Sequence, residues 1–272
     1  MSQTGSTSQT SSATLITGGS AGIGLELARQ AAADGKNLIL VARDARALDA
    51  AADELRKKVT VHTIAEDLSL AGAARRVFDH VGALGVEVGC LINDAGVGDY
   101  GAFSTTDPEK LERMIGVNIT TLTVLTRLFL PAMLERRRGH ILNLASVTSF
   151  VPGPFMGVYF ASKHYVLAFS EALIEELRGS GVSVTALCPP PVRTAFSHTA
   201  GTPTVSYMAT TATTPAEVAS YGYRVMKRGK PVAVYSLRYK FLMSFLIRIT
   251  PRFALRRLLH YMNAAGLATS ER

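Results

Sequence analysis

The chain holds only 2 cysteines among its 272 residues, and its 6 histidines fall at no spacing that would gather metal ligands. A disulfide framework and a metal centre are thereby excluded as sources of stability. Cys90 and Cys188 lie in apolar runs and are expected to pack as small buried thiols in a reducing compartment. Acids are almost missing from the C-terminal end: from Arg224 to Arg272 one, Glu271, stands against 11 lysines and arginines. That stretch therefore carries +10 of a chain total of +8, leaving −2 for everything before it. No nucleic-acid motif and no row of aromatics for base stacking accompanies the charge, which argues against nucleic acid as a partner. Internal repeats are absent as well. Residues 1–12 are uncharged and rich in Ser, Thr and Gln, without the basic start and apolar stretch of a signal peptide. They are expected to be disordered, and the protein cytoplasmic.

What the chain does have is apolar content, 47% of 272 residues, enough for one sizeable core. Apolar runs alternate with helical patterns, and strands are predicted near 13–17, 37–42, 59–65, 88–93, 139–145, 182–188 and 232–235. Nearly unbroken runs such as those over 37–42 and 139–145 suit strands covered on both faces. The expected architecture is α/β: one doubly wound parallel sheet with helices on both faces over residues 13–236, then a basic amphipathic helical extension over 237–272. In such a sheet ligands gather at the carboxyl ends of the strands, near the point where strand order reverses. Gly18, Asn93, Ser146 and Pro189 fall there, at the ends of the first, fourth, fifth and sixth strands.

Tyr159 and Lys163 stand four residues apart in a predicted helix from Gly157 to Arg178, with Ser146 thirteen residues before the tyrosine. Positions i and i+4 share a helix face, so a phenol and an ammonium reach one pocket together. A nearby cation favours the phenolate and would lower the tyrosine pKa, fitting it for proton exchange with an alcohol or ketone oxygen. Read alone, the pair could equally be a half-buried aromatic and a solvated charge. The first strand runs directly into Gly18, Gly22 and Gly24, and a helix continues from Leu25 to Asp34. That is the order a dinucleotide site requires: glycines let the backbone approach a pyrophosphate, and the helix N-terminus offers it free N–H groups.

Taken together, the cofactor turn Thr17-Gly-Gly-Ser-Ala-Gly-Ile-Gly24, the run Asn93-Asp-Ala-Gly96, Asn118, Ser146, Tyr159 and Lys163 resemble the short-chain dehydrogenase/reductase family from about Ala13 to Lys230. The resemblance implies an oxidoreductase interconverting a carbonyl and an alcohol. Tyr159 would be the proton donor, Ser146 would hold the substrate oxygen, Lys163 would bind the nicotinamide ribose and lower the tyrosine pKa, and Asn118, near a helix start, would anchor a relay water. It assigns cofactor contacts to Gly18, Ser20, Gly22, Ile23, Gly24, Arg43, Asp67, Leu68, Asn93, Ala95, Gly96, Tyr159, Lys163, Pro189, Val192 and Thr194. The cofactor implied is NADP(H), since Arg43 follows the second strand where an NAD enzyme generally has an acid. Asp44 could instead pair with Arg43 or face a ribose, and Asp67 could instead cap the next helix through the N–H of Leu70.

Two positions depart from the family pattern: Pro190 replaces a glycine after the sixth strand and should stiffen that loop, and Asp94 replaces an asparagine. The polar segment 195–214 has the composition of a lid over the substrate. Its Phe196, Tyr207 and Met208, with Phe150, Phe155 and Met156, suggest an apolar pocket and a lipophilic substrate. Between Tyr239 and Tyr261 apolar patches alternate with Lys240, Arg248, Arg252, Arg256 and Arg257, interrupted by Pro251. This amphipathic stretch either covers the chain's own core or a partner subunit, or lies on an anionic membrane. Family association implies a homodimer or homotetramer. The competing reading of the whole chain is an NADP(H)-binding scaffold or sensor without turnover.

Overall fold

The computed structural model describes residues 12–194, 196, 200 and 213–270. Seven strands, β1 (Ala13–Thr17), β2 (Leu38–Ala42), β3 (Val61–Ala65), β4 (Val88–Asn93), β5 (Gly139–Leu144), β6 (Val182–Cys188) and β7 (Val232–Val234), form one sheet in the order β3-β2-β1-β4-β5-β6-β7. Every pairing is parallel, so all strands end at one edge, and strand order reverses between β1 and β4. Strands β1, β4 and β6 have the predicted limits, and β2, β3, β5 and β7 start or stop one or two residues inside theirs. At β2 and β3 the reason is local: the Asn37 side chain accepts a hydrogen bond from Thr60 N at 3.3 Å, joining the two strand approaches before the ladder begins.

Alternation along the strands divides the core. Ile16, Leu40, Ile92 and Leu187 face one layer with helices α1 (Gly22–Ala33), α2 (Ala45–Leu55) and α7 (Pro215–Lys227). Leu15, Val41, Leu91 and Ile141 face the other, with α3 (Ala73–Ala83), α5 (Leu122–Glu135) and α6 (Gly157–Glu176). Helix α6 stops two residues short of its predicted end because Gly179 takes φ +77°, the left-handed conformation that closes a helix. Helix α4 (Pro108–Ile115) runs through a π-helical stretch, Gly116–Thr121, into α5. The combined 28-residue helix is long and apolar enough to cross a membrane by length and composition. Its Leu125, Phe129 and Met133 are spent on the sheet instead.

The extension consists of α8 (Leu237–Phe241), a π-helical stretch over Leu242–Leu246, a turn over Ile247–Ile249 and, after Pro251, α9 (Arg252–Ser270). One side of it packs on the chain itself: Met243 is buried against Val166 and Leu167, joined by Tyr239, Leu242 and Ile247. The expectation that the segment covers its own core is met by this side.

One polar row crosses the buried sheet. Thr17, Asn93 and Asn143 are cross-strand neighbours on the α5/α6 face. The Asn93 amide donates to Thr126 Oγ1 at 3.1 Å and to Asn143 Oδ1 at 2.9 Å, and the Asn143 amide donates to Ser170 Oγ at 3.0 Å. Removing one partner strands the others in a dry interior. Asn143→Ala is expected to cost about 1–3 kcal/mol, and the double variant Asn93→Ala/Asn143→Ala less than the sum of the two single ones. Urea unfolding of the four proteins checks this; strict additivity would show that the row is not coupled.

Candidate active site

The turn after β1 is shaped by its glycines. Gly18 and Gly22 take φ +72° and +57°, and a Cβ at Gly24 would lie 2.4 Å from the Gly18 carbonyl oxygen and 2.6 Å from Asp94 Oδ2. Helix α1 starts at Gly22, earlier than predicted, behind Ala21, which supplies no side-chain cap. The Gly24 N–H is taken by the buried Asp94 carboxyl, and the remaining N–H groups of the first turn lie beside the glycine turn, a cradle that fits a pyrophosphate. Ser20 lies half-buried on this turn, while Ile23 turns its side chain into the core, so its expected cofactor contact would be through backbone.

At the end of β2, Arg43 is exposed and Asp44 is committed elsewhere: its carboxylate caps α2, accepting from Arg46 N at 3.0 Å and Ala47 N at 3.1 Å. Asp67, after β3, accepts from Ser69 N at 3.0 Å and Ser69 Oγ at 2.7 Å and lies 3.2 Å from Arg113. The suggested cap on Leu70 is not made by this carboxylate; Leu70 N donates to the Asp67 carbonyl, and α3 begins beyond, behind Gly72. Burial tends to raise the Asp67 pKa, but the Ser69 hydrogen bonds with Arg113 and Arg43 hold it below its ordinary value. Leu68 packs its side chain in the core.

The loop after β4 is tied to β1 by Thr17, whose hydroxyl accepts from Asp94 N and Ala95 N, both at 3.1 Å. Asn93 does not offer its side chain to the site, because the polar row of the sheet holds its amide; its backbone remains available. Gly96 stands where an added Cβ would be 3.5 Å from both Asn118 Oδ1 and Lys163 Nζ. Asn118 is not near a helix start as expected. It sits in the π-helical stretch between α4 and α5 and clamps the loop, accepting from Val97 N and donating to Val97 O, each at 2.9 Å, and to Ser162 Oγ at 3.0 Å.

Ser146 follows β5 and caps the short 3-10 turn Val147–Phe150, accepting from Thr148 N at 3.1 Å. Its hydroxyl lies near enough to the Tyr159 phenol to favour ionisation, but burial outweighs this and pushes Tyr159 up to about 12. Lys163 was expected to lower the tyrosine. Its ammonium instead donates to the Leu144 carbonyl at 2.7 Å and lies 5.9 Å from the Tyr159 ring centroid. Burial brings Lys163 down to about 8, with Asp94 and Cys188 opposing. Serines brace the pair: Ser149 Oγ donates to the Lys163 carbonyl and Ser162 Oγ to the Tyr159 carbonyl, both at 2.7 Å.

After β6, Pro189 accepts from Val147 N at 3.0 Å, Val192 pairs with Thr213, and the Thr194 methyl would lie 3.4 Å from a Cβ on Gly22. Pro190 is buried in this loop. The two cysteines are free and buried, and burial pushes both thiols up to about 12.

Beside Tyr159 lies a cavity of about 260 Å³ whose apolar lining includes Phe103, Leu111, Met114, Phe155 and Met156. The Phe196 ring lies tilted by 44° against the Tyr159 ring, with centroids 5.3 Å apart. Phe150 does not line the cavity; it packs into the core clusters under the loop. Tyr207 and Met208 lie outside the described residues. The residues that brace the site and were not singled out as site residues are Thr17, Ser149 and Ser162. Their only signal was position, one strand end and two serines beside the named groups.

A sequence model of short chain dehydrogenases matches residues 12–204, and the chain belongs to that family. It is 34% identical over 183 residues to the very-long-chain 3-oxoacyl-CoA reductase of Macaca fascicularis, a match covering 64% of this chain and 57% of that protein. Among solved structures, a short-chain dehydrogenase of Sphingobium yanoikuyae in complex with NADPH superposes with a TM-score of 0.78 at 32% identity, covering 89% of this chain and 97% of that one. A Burkholderia phymatum relative in complex with NAD gives 0.76 at 27%, covering 88% and 92%.

Asp94 sets a pH dependence. Burial raises it to about 7 from 3.8, with Lys163 and the Gly24 N–H offsetting part of the shift. An acid whose folded pKa exceeds its unfolded one destabilises the fold increasingly as pH rises through that interval, and fully above the folded value. Asp94→Asn is therefore expected to raise Tm at pH 8 and change it little near pH 4. Thermal unfolding across that range checks this, and an equal shift at every pH would overturn it.

Proposed function

We propose that the chain is an NADP(H)-dependent oxidoreductase that interconverts a lipophilic ketone or aldehyde with its alcohol. The observation that carries this reading is the convergence of Asn118, Ser146, Tyr159 and Lys163 at one sheet edge, with an apolar cavity opening beside the phenol. The uncapped, glycine-lined N-terminus of α1 supports a dinucleotide as cofactor. Exposed Arg43, with Asp44 withdrawn into its cap, supports a 2′-phosphate on it. The name of the macaque relative, and the NADPH held by the Sphingobium structure, agree with a reductase of this kind.

When bound, the reduced nicotinamide supplies a hydride to the carbonyl carbon. The chain's own groups handle the oxygen. Ser146 holds it by a hydrogen bond, and Tyr159 delivers the proton. A phenol held up to about 12 is protonated at neutral pH, the state a donor needs. The reverse direction requires the phenolate, so alcohol oxidation should gain with rising pH where reduction does not. Lys163, on the same helix face as Tyr159, would hold the ribose hydroxyls of the cofactor. Asn118 fixes the loop at Val97.

Tyr159→Phe is expected to lower turnover of NADPH with medium-chain ketones by about 10²–10⁴-fold while leaving the NADPH Kd unchanged; undiminished turnover would sink the assignment. NADPH binding by the wild type without turnover across a broad carbonyl panel would instead favour a scaffold or sensor. Arg43→Ala is expected to weaken NADPH about tenfold or more while sparing NADH, the loss of a charge-assisted hydrogen bond worth about 1.5–3 kcal/mol. Fluorescence titration with both cofactors reads it, and equal losses for the two would remove Arg43 as the phosphate partner.

A further inference from the structure

The C-terminal extension has two sides, and only one is used by the fold. Met243, Tyr239, Leu242 and Ile247 turn inward onto the core, and Leu255 and Leu259 do so from α9. On the opposite side Leu237, Phe241, Phe245 and Ile249 recur every four residues with 84%, 64%, 55% and 64% of their surfaces exposed. Phe253, Leu258 and Tyr261 continue the exposed apolar surface along α9. A row of large apolar groups of this length on a surface marks a contact with something apolar.

The charges beside the row say what that is. Arg238, Lys240, Arg252, Arg256 and Arg257 are exposed along the same helices, and among the described residues none of them makes an ion pair. A second copy of the chain meeting this face about a two-fold axis would bring like charges together with no acid to pair them. An anionic bilayer meets both demands, taking the apolar row below its headgroups and the basic groups among its phosphates. We propose that residues 237–261 form a docking surface that lies flat on anionic lipid.

The same segment is joined to the loops around the cavity. The Asn263 amide donates to the Pro154 carbonyl at 2.8 Å, Tyr100 donates its hydroxyl to the Asn263 carbonyl, and the His260 ring lies 5.3 Å from that of Phe155. Pro154 and Phe155 line the cavity beside Tyr159. Docking therefore brings the cavity wall to the membrane and gives a lipid-dissolved molecule a short route to it. The surface itself is independent of the reaction proposed above, and its test reads no turnover.

The experiment is flotation of the full-length protein with vesicles of phosphatidylcholine alone or mixed with phosphatidylglycerol, at low and high salt. Two variants run alongside: Phe241→Ser/Phe245→Ser/Phe253→Ser and Arg252→Gln/Arg256→Gln/Arg257→Gln. Both change exposed groups, and unchanged circular dichroism and NADPH binding confirm that they fold. The wild type is expected to float with the mixed vesicles at low salt and to be released by high salt, with at least tenfold less bound for either variant. Wild type left at the bottom with mixed vesicles at low salt overturns the proposal. So does a vesicle-free dimer that the phenylalanine variant converts to monomer, since a second copy would then cover the row.

Discussion

The register of the parallel ladder places Thr17 beside Asn93 and Asn93 beside Asn143, and the rest of the site hangs on that row. Polar side chains buried side by side need partners in a dry interior: the two asparagines bond each other, and Thr17 turns to the backbone at the end of β4. Their solution fixes the surroundings. Thr17 accepts from the two N–H groups that start the loop after β4, drawing it against the glycine turn after β1. Asn143 reaches Ser170, which lies seven residues beyond Lys163 and therefore on the same side of α6. The helix is thus held at the rotation that brings Tyr159, Ser162 and Lys163 to the sheet edge. A purely apolar contact would permit more sliding, because side-chain packing specifies rotation less sharply than directional bonds.

Burial is the dominant electrostatic effect at this edge. It is the first cause of the shifts of Asp94, Tyr159 and Lys163, and in each case it favours the neutral form. Asp94 and Lys163 partly restore each other's charge, while the Lys163 ammonium donates a hydrogen bond to the Leu144 carbonyl at the end of β5. The tyrosine gains nothing comparable from the lysine, only from Ser146. Burial therefore keeps the phenol in its protonated form at neutral pH.

The sheet and its carboxyl edge could be read from the chain because parallel strands buried on two faces leave unbroken apolar runs, as over Leu38–Ala42, and glycines mark where they end. Helix α6 was equally legible from the Tyr159 and Lys163 pair. What stayed hidden depends on side-chain direction and distant approach. Asn93 occupies its expected place but turns inward, a choice made by Asn143 fifty residues away. Asp94 is one atom's change from asparagine, and its effect comes from the closeness of Gly18 and Gly24. Asn118 reaches Val97 from a π-helical turn, a local widening with no reliable residue pattern. For Leu68 and Ile23 the chain could show the position but not that the side chain belongs to the core.

A second π-helical stretch, Leu242–Leu246, explains why the extension can serve two surfaces at once. In a regular α-helix a residue every four places drifts by about 40° per step around the axis, so a row of four such residues would wander off one face and onto the core side. A wider i→i+5 turn lags where the α-helix leads, and inserting one between Phe241 and Ile247 cancels much of that drift. Leu237, Phe241, Phe245 and Ile249 consequently stay exposed together while Met243 and Ile247 stay against the core. Pro251 then starts a new helix whose axis need not continue the first, which frees α9 to run back to Pro154 and Tyr100. The two departures from α-helical geometry thus do related things: one turns an asparagine toward the loop under the active site, the other keeps an apolar face out of the core.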